Sequence, residues 1–243
     1  VLTATFWGLV GGAALLVGAL LGLYARASYR VIGLVMAFGA GVLISAVAFE
    51  LTEEAFHSAG AAPVVVGLVS GSVVFFVGDW FIDRRGGHRR KSPTGGPQQG
   101  AGAMALVLGA LLDGIPESAA IGVSVLGGGE VGIAMVAAVF LSNVPESMSA
   151  SAGLKRAGRS ARQILLLWLV VMLVSGVAAG LGYVLLEGAS PAVVAGIQTF
   201  AAGAIITMLA DTMMPEATEH AGRLVGLVTM LGFALAFLLS ALG

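Results

Sequence analysis

Apolar residues fill long blocks of this chain, and the blocks are separated by short runs of charge, Gly and Pro. Eight blocks lie near residues 4–25, 31–52, 62–82, 102–126, 131–152, 163–186, 192–215 and 224–242. Each supplies the roughly 20 residues that a helix needs to cross a hydrocarbon layer. The expected fold is all-α: a polytopic membrane protein with eight transmembrane helices, forming one transmembrane domain over 1–243. Within it, the Arg-, Gly- and Pro-rich stretch 83–101 is expected to be a flexible cytoplasmic loop.

Composition sharpens the choice of solvent. The chain has 243 residues, 58% of them hydrophobic and only 10% charged, so it carries more apolar surface than a soluble domain of this size can hide. The twelve basic residues are more informative than the net charge of -1. Arg26 and Arg30 lie between spans 1 and 2, and Arg84, Arg85, Arg89, Arg90 and Lys91 between spans 3 and 4. Lys155, Arg156, Arg159 and Arg162 lie between spans 5 and 6, and Arg223 between 7 and 8. With eight spans, every one falls on the same side. The positive-inside rule makes that side cytoplasmic and puts both termini outside. A multi-pass protein of a cell membrane is expected, with a bacterial inner membrane favoured by the Ala-, Gly- and Val-rich chain. The basic run 84–91 reads as a topology anchor beside anionic headgroups, and no nucleic-acid partner is expected. No cysteine is present, which excludes disulfides and thiolate metal sites.

Ala40–Ala55 aligns with Ala202–Ala217, and both continue to an Ala-Gly pair, Ala59-Gly60 and Ala221-Gly222. Spans 2 and 7 would cross in opposite senses, so the match predicts an inverted repeat of helices 1–3 and 6–8. The arrangement is then 3+2+3, with spans 4 and 5 left in the centre. Small-xxx-small spacings at Gly8/Gly12, Gly18/Gly22, Gly67/Gly71 and Gly176/Gly180 predict close helix packing. They leave room for a homodimer without defining its face.

The central spans carry the polar chemistry. Span 4 reads Asp113-Gly114-Ile115-Pro116-Glu117-Ser118, and span 5 reads Ser142-Asn143-Val144-Pro145-Glu146-Ser147. Each proline removes a backbone hydrogen bond, and each acid must be neutralised or desolvated inside a hydrophobic helix. Asp113 and Glu117 share one helix face, as do Asn143 and Glu146. Asp113 lies about 16 Å along its span at helical rise, near the middle of the bilayer. No Lys or Arg occurs within any span, which leaves protonation, water or a bound cation to balance the acids. Interhelical hydrogen bonds between protonated carboxyls are the structural alternative. Carboxylate and amide oxygens suit a divalent cation, without fixing which one.

The paired Pro-Glu motifs, eight spans, outward termini and cytoplasmic loop after span 3 resemble the ZIP family of divalent metal transporters. The resemblance covers the whole chain, with its specific part at about 110–153. It implies transport of a divalent cation (zinc, cadmium, manganese or ferrous iron) toward the cytoplasm through a site between helices 4 and 5. Family members typically read His-Asn-x-Pro-Glu-Gly on helix 4 and x-x-Pro-Glu with a leading His or acid on helix 5. By position, Asp113 replaces the helix-4 His and Gly114 the Asn. Glu117 and Glu146 match the motif glutamates, and Asn143 replaces the ligand that begins the helix-5 motif. The metal ligands implied are Asp113, Glu117, Asn143 and Glu146, all oxygen donors, whereas zinc commonly takes some nitrogen or sulfur. The metal would be substrate, and no resident cofactor is expected.

Ser142, Glu50, Asp211, Glu216, His220, Glu53 and His57 are secondary pathway candidates, while Glu54 and Glu219 read as solvated helix-end charges. Two other readings stand beside transport. One is a metal-binding membrane sensor, or a relative that no longer transports. The other is an intramembrane aspartyl protease using Asp113 and Asp211. No Ser-His or zinc-protease signature supports an enzyme.

Overall fold

The computed structural model describes residues 1–25, 27–87, 91–94, 103–126 and 133–242. Arg26, His88, Arg89, Arg90 and the first residues of the fourth and fifth expected spans lie outside the described residues. Among those described, the chain is helical throughout, with turns and no strand.

Helix α1 spans Leu2–Tyr24 and α2 spans Tyr29–Ala46. Ser28 starts α2, its hydroxyl accepting the amide of Val31 at 3.3 Å. Helix α2 passes through a π-helical turn, Val47–Glu53, into α3, Glu54–Ala59. Helix α4 follows over Ala61–Ile82 and runs on to Asp83–Gly87. The motif-bearing helices are α5, Ala103–Ser124, and α6, Ile133–Arg156. Helix α7, Ala161–Leu186, begins in a capping box between Ser160 and Gln163. Helix α8, Pro191–Met208, opens with proline and continues through a π-helical turn, Leu209–Met213, into α9, Met214–Ala221. Helix α10 closes the chain at Val225–Leu242.

Six stretches of the described residues are long and apolar enough to cross a membrane. One of them, Pro191–Ala241, contains two helices, because Gly222 turns the chain at φ 62°. Gly60 makes the corresponding turn after α3 at φ 77°, and a side chain would strain both positions. Helix α6 carries Ser142, Asn143, Glu146, Ser147, Ser149 and Ser151, and all six are buried in the protein. The large exposed residues lie elsewhere. Val66, Val69, Val73 and Val77 on α4 and Leu227, Leu231 and Leu238 on α10 face outward, a pattern suited to lipid.

Helix α1 packs on α6 and α7, and α7 packs in turn on α5; α2 packs on α10 and α8 on α4. Glycine makes these contacts possible. A β-carbon on Gly8 would stand 2.5 Å from that of Ala179, and one on Gly71 would stand 1.9 Å from the carbonyl oxygen of Phe200. A β-carbon on Gly18 would meet Ser147 Oγ at 2.1 Å and the Val144 carbonyl oxygen at 2.2 Å. All four small-xxx-small pairs read from the sequence are used within the chain: Gly8/Gly12 and Gly176/Gly180 at the α1–α7 crossing, Gly18/Gly22 against α6, and Gly67/Gly71 against α8.

Gly18 and Gly196 test this packing directly. Gly18→Ala forces α1 away from the α6 motif and is expected to cost about 1–3 kcal/mol. Gly196→Ala meets nothing within 4 Å and is expected to be neutral, or stabilising by up to about 1 kcal/mol through helix propensity. Thermal unfolding in detergent measures both.

Candidate metal centre between two proline-containing helices

The motif residues are brought inward. Asp113, Glu117, Asn143 and Glu146 are all nearly inaccessible, while Ile115 on the other face of α5 is exposed. In each motif the serine after the glutamate bonds one turn back: Ser118 Oγ to the Gly114 carbonyl at 2.7 Å, and Ser147 Oγ to that of Asn143 at 2.6 Å. Such bonds satisfy the serines within helices where Pro116 and Pro145 have each removed an amide donor, and they favour local bending.

Two of the acids share a counter-ion that lies outside every span. Lys91, from the segment after α4, inserts its ammonium between α5 and α6. Its Nζ stands 3.4 Å from Asp113 Oδ2 and 3.1 Å from Glu146 Oε2, with all three side chains buried. Glu117 lies within electrostatic reach of Lys91, Asp113 and Glu146, and its Oε1 has no hydrogen-bond partner among the described residues. The sequence left protonation, water or a bound cation as ways to balance this charge. The structure adds a fourth, because a lysine's long side chain carries its charge several ångströms from the backbone.

The inserted segment is tied down at three points. Beyond the ammonium, Ser149 Oγ donates to the Lys91 carbonyl, and Arg156 donates to that of Pro93. Lys91, Ser92 and Pro93 are buried and Thr94 is exposed. Beside the ammonium is a cavity of about 20 Å³, lined by Asp113, Glu146, Ala110, Ala150 and Trp168 among others; it has room for about one water. Trp168 reads from sequence as an interfacial or packing aromatic; it is a packing one, buried, with Nε1 donating to Ser151 Oγ at 2.8 Å.

Asn143 sits with the acids, but its amide is partly engaged: Nδ2 donates to the Gly11 carbonyl of α1 at 3.1 Å. Ser142 Oγ bonds within its own helix, to the Val139 carbonyl at 3.0 Å. Among the described residues no three His, Asp or Glu side chains converge into a ready ligand set. In the centre, an ammonium stands between two of the carboxylates.

The secondary candidates sort into pairs. Glu50 accepts from Ser240 of α10, and its backbone carbonyl, in the π-helical turn, accepts from Gln198 Nε2 at 3.0 Å. The same Gln198 amide reaches Glu54 Oε2 at 3.0 Å, so Glu54 is anchored to α8. Glu53 and His57 form an exposed pair at 3.8 Å, and Glu216 and His220 a largely buried one at 3.4 Å, with Tyr29 stacked on His220. Asp211 is exposed in the π-helical turn, while Asp113 is buried against Lys91. That geometry does not hold the two as a dyad sharing one proton. Asp79 reads from sequence as a surface partner of Arg84, yet it is buried, and Arg84 lies over the Trp80 ring at 3.8 Å.

Lys91, Ser149 and Trp168 are the site neighbours that sequence reasoning missed. Only its being the one lysine of the basic run, and the Ser-Pro that follows it, distinguish Lys91 from Arg89 and Arg90.

Comparison with known proteins bears on this geometry. Over 226 residues the chain is 29% identical to the zinc transporter ZupT of Enterobacter sp. (strain 638), covering 87% of this chain and 85% of that protein. The chain is similar to a zinc transporter. No family model matches it. With its apolar helices, the likeness supports a multi-pass membrane protein related to metal transporters.

Asn143→Asp exchanges the donor that faces the Gly11 carbonyl for an acceptor. In metal-free protein it is expected to lower stability by about 1–3 kcal/mol, read as a fall in the thermal midpoint. Asn143→Gln can keep an amide donor there and is expected to lose less.

Proposed function

We propose that the chain is a ZIP-type carrier that moves divalent metal cations toward the cytoplasm, binding them between α5 and α6. The observation that carries this reading is the shared ammonium. One carboxylate from each motif helix closes on a single positive charge in a buried position, which is what a cation site between two moving helices requires. Asp113, Glu117 and Glu146 are the proposed ligands, and Asn143 contributes as ligand or as the anchor to α1. The likeness to ZupT supports the substrate class.

The proposed topology is eight crossings with both termini outside, and 1–3 and 6–8 related by inversion. Three features support it: the π-helical turns Val47–Glu53 and Leu209–Met213 fall at matching repeat positions, positive-φ glycines end both second helices, and the reciprocal packing pairs α2 with α10 and α8 with α4. The all-oxygen donor set leans toward manganese or ferrous iron alongside zinc and cadmium. No resident cofactor is proposed. A second reading, a relative that binds metal without transporting it, draws on the same lysine, since a neutralised site holds a metal less strongly.

Metal uptake into proteoliposomes tests the function, with zinc, cadmium, manganese and ferrous iron assayed separately. Saturable flux is expected from the parent, falling at least tenfold in Glu117→Ala/Glu146→Ala. Flux unchanged in that variant would remove the proposed site, and folded parent protein that binds a metal but passes none would favour the non-transporting relative. The cysteine-free chain also permits a direct topology test. Single cysteines added at either terminus are expected to react with an impermeant maleimide from outside intact cells, and one placed at position 97 is expected to react only after lysis.

A further inference from the structure

We propose that Lys91–Thr94 is a built-in plug: it places a tethered ammonium between Asp113 and Glu146, so that Lys91 and a divalent cation compete for the same two carboxylates. The proposal rests on the reading of the central acids as a cation site, and it assigns to this chain a residue that sets how tightly that site holds metal.

The insertion is constructed at every level. A lysine is seldom buried unless it is paired, and this one is buried with a carboxylate on either side. Its backbone is held by Ser149, and that of Pro93 by Arg156. The Ser92 hydroxyl lies 2.9 Å from Thr94 Oγ1 and accepts the Thr94 amide at 3.4 Å, folding the segment on itself. Glu146, Ser149 and Arg156 all belong to α6, so the plug is fastened to one motif helix and reaches across to the other through Asp113. The acids do not form a convergent ligand set with the ammonium in place. A metal that gathers them must displace Lys91, and metal-bound and plugged states exclude each other. The consequence is quantitative. If the unplugged form is between about 1% and 10% of the metal-free protein, the apparent affinity for metal is weakened by about 10- to 100-fold.

The experiment uses the full chain in detergent, with Ser92→Cys as its single thiol. Ser92 is fully buried, so this thiol is expected to react slowly with a maleimide in metal-free protein. Adding Asp113→Asn/Glu146→Gln, or Lys91→Ala, is expected to speed labelling at least tenfold, while Lys91→Arg keeps it slow. Ser149→Ala leaves the carboxylates untouched and is expected to speed labelling several-fold. Manganese, which binds thiols weakly, is expected to accelerate labelling of the Ser92→Cys protein with a saturable dependence. In Lys91→Ala, the half-saturating manganese concentration is expected to fall at least tenfold, measured by equilibrium binding. A cysteine at the buried position Ala202, in an otherwise identical set, separates plug release from unfolding, because it is expected to stay protected in every variant. Equal labelling of Ser92→Cys with and without the two acids overturns the plug. Labelling that depends on the acids but ignores manganese, zinc, cadmium and ferrous iron leaves the plug standing and overturns the cation-site reading on which the competition depends.

Discussion

A carboxylate removed from water must be neutralised or paired, and most of this structure follows from that constraint. Two unit charges about 4 Å apart interact by about 1 kcal/mol in water and several times more strongly near protein, and each buried ion also loses its hydration. Asp113, Glu117 and Glu146 therefore each need a proton, a counter-ion or a polar partner inside the helix bundle. Their own helices supply no positive charge beside the motifs, since Lys155 and Arg156 lie in the last turn of α6. The chain meets the need from a neighbouring loop, carrying one ammonium into the gap between α5 and α6 on the side chain of Lys91. The fold around that gap holds both halves of the arrangement in place.

Close backbone packing is the second requirement. Helix α6 buries a column of serines together with Asn143 and Glu146, and it needs partners that approach closely enough to exclude lipid from that face. Gly18 and Gly22 bring α1 against Val144 and Met148, and Gly39 brings α2 against Pro145. The amide of Asn143 then reaches the Gly11 carbonyl. Small residues on the outer helices and polar residues on the inner one are two parts of one device: without a lipid-excluding wall, each serine and carboxylate of α6 would face hydrocarbon. Lys155, which bonds the Leu23 carbonyl, ties the end of α6 to the end of α1 in the same way.

The helices were legible in the sequence because their signals are local and long. Blocks of apolar residues, serine caps before α2 and α7, proline at the start of α8, and glycine after α3 and α9 all act within a few residues. The inward position of Asp113, Glu117, Asn143 and Glu146 was legible for the same reason, since helical spacing puts each pair on one face. Lys91 was not legible. Its role depends on a contact 22 residues away with Asp113 and 55 away with Glu146, and a basic run beside a membrane has an adequate explanation as a topology signal. Asp79 misled in a similar way. A carboxylate near arginines reads as a surface group, but Asp79 is buried.

A tethered ammonium also bears on which ions the site admits. Lys91 carries one charge, and its backbone anchors on α6 keep it beside the carboxylates at an effective concentration that a free ion must exceed. A monovalent cation brings no more charge to Asp113 and Glu146 than the ammonium does, and it would also have to break the bonds from Ser149 and Arg156 that seat the segment. A divalent cation gains about twice as much from the same carboxylates and can draw Glu117 in as well. On the proposed competition, the plug would therefore discriminate by charge before any ligand chemistry operates. Discrimination among divalent ions would then fall to the proposed donor set, where oxygen ligands alone would decide. Charge selection and metal selection would thus reside in different residues: the first in Lys91 and its anchors, the second in the carboxylates that it covers.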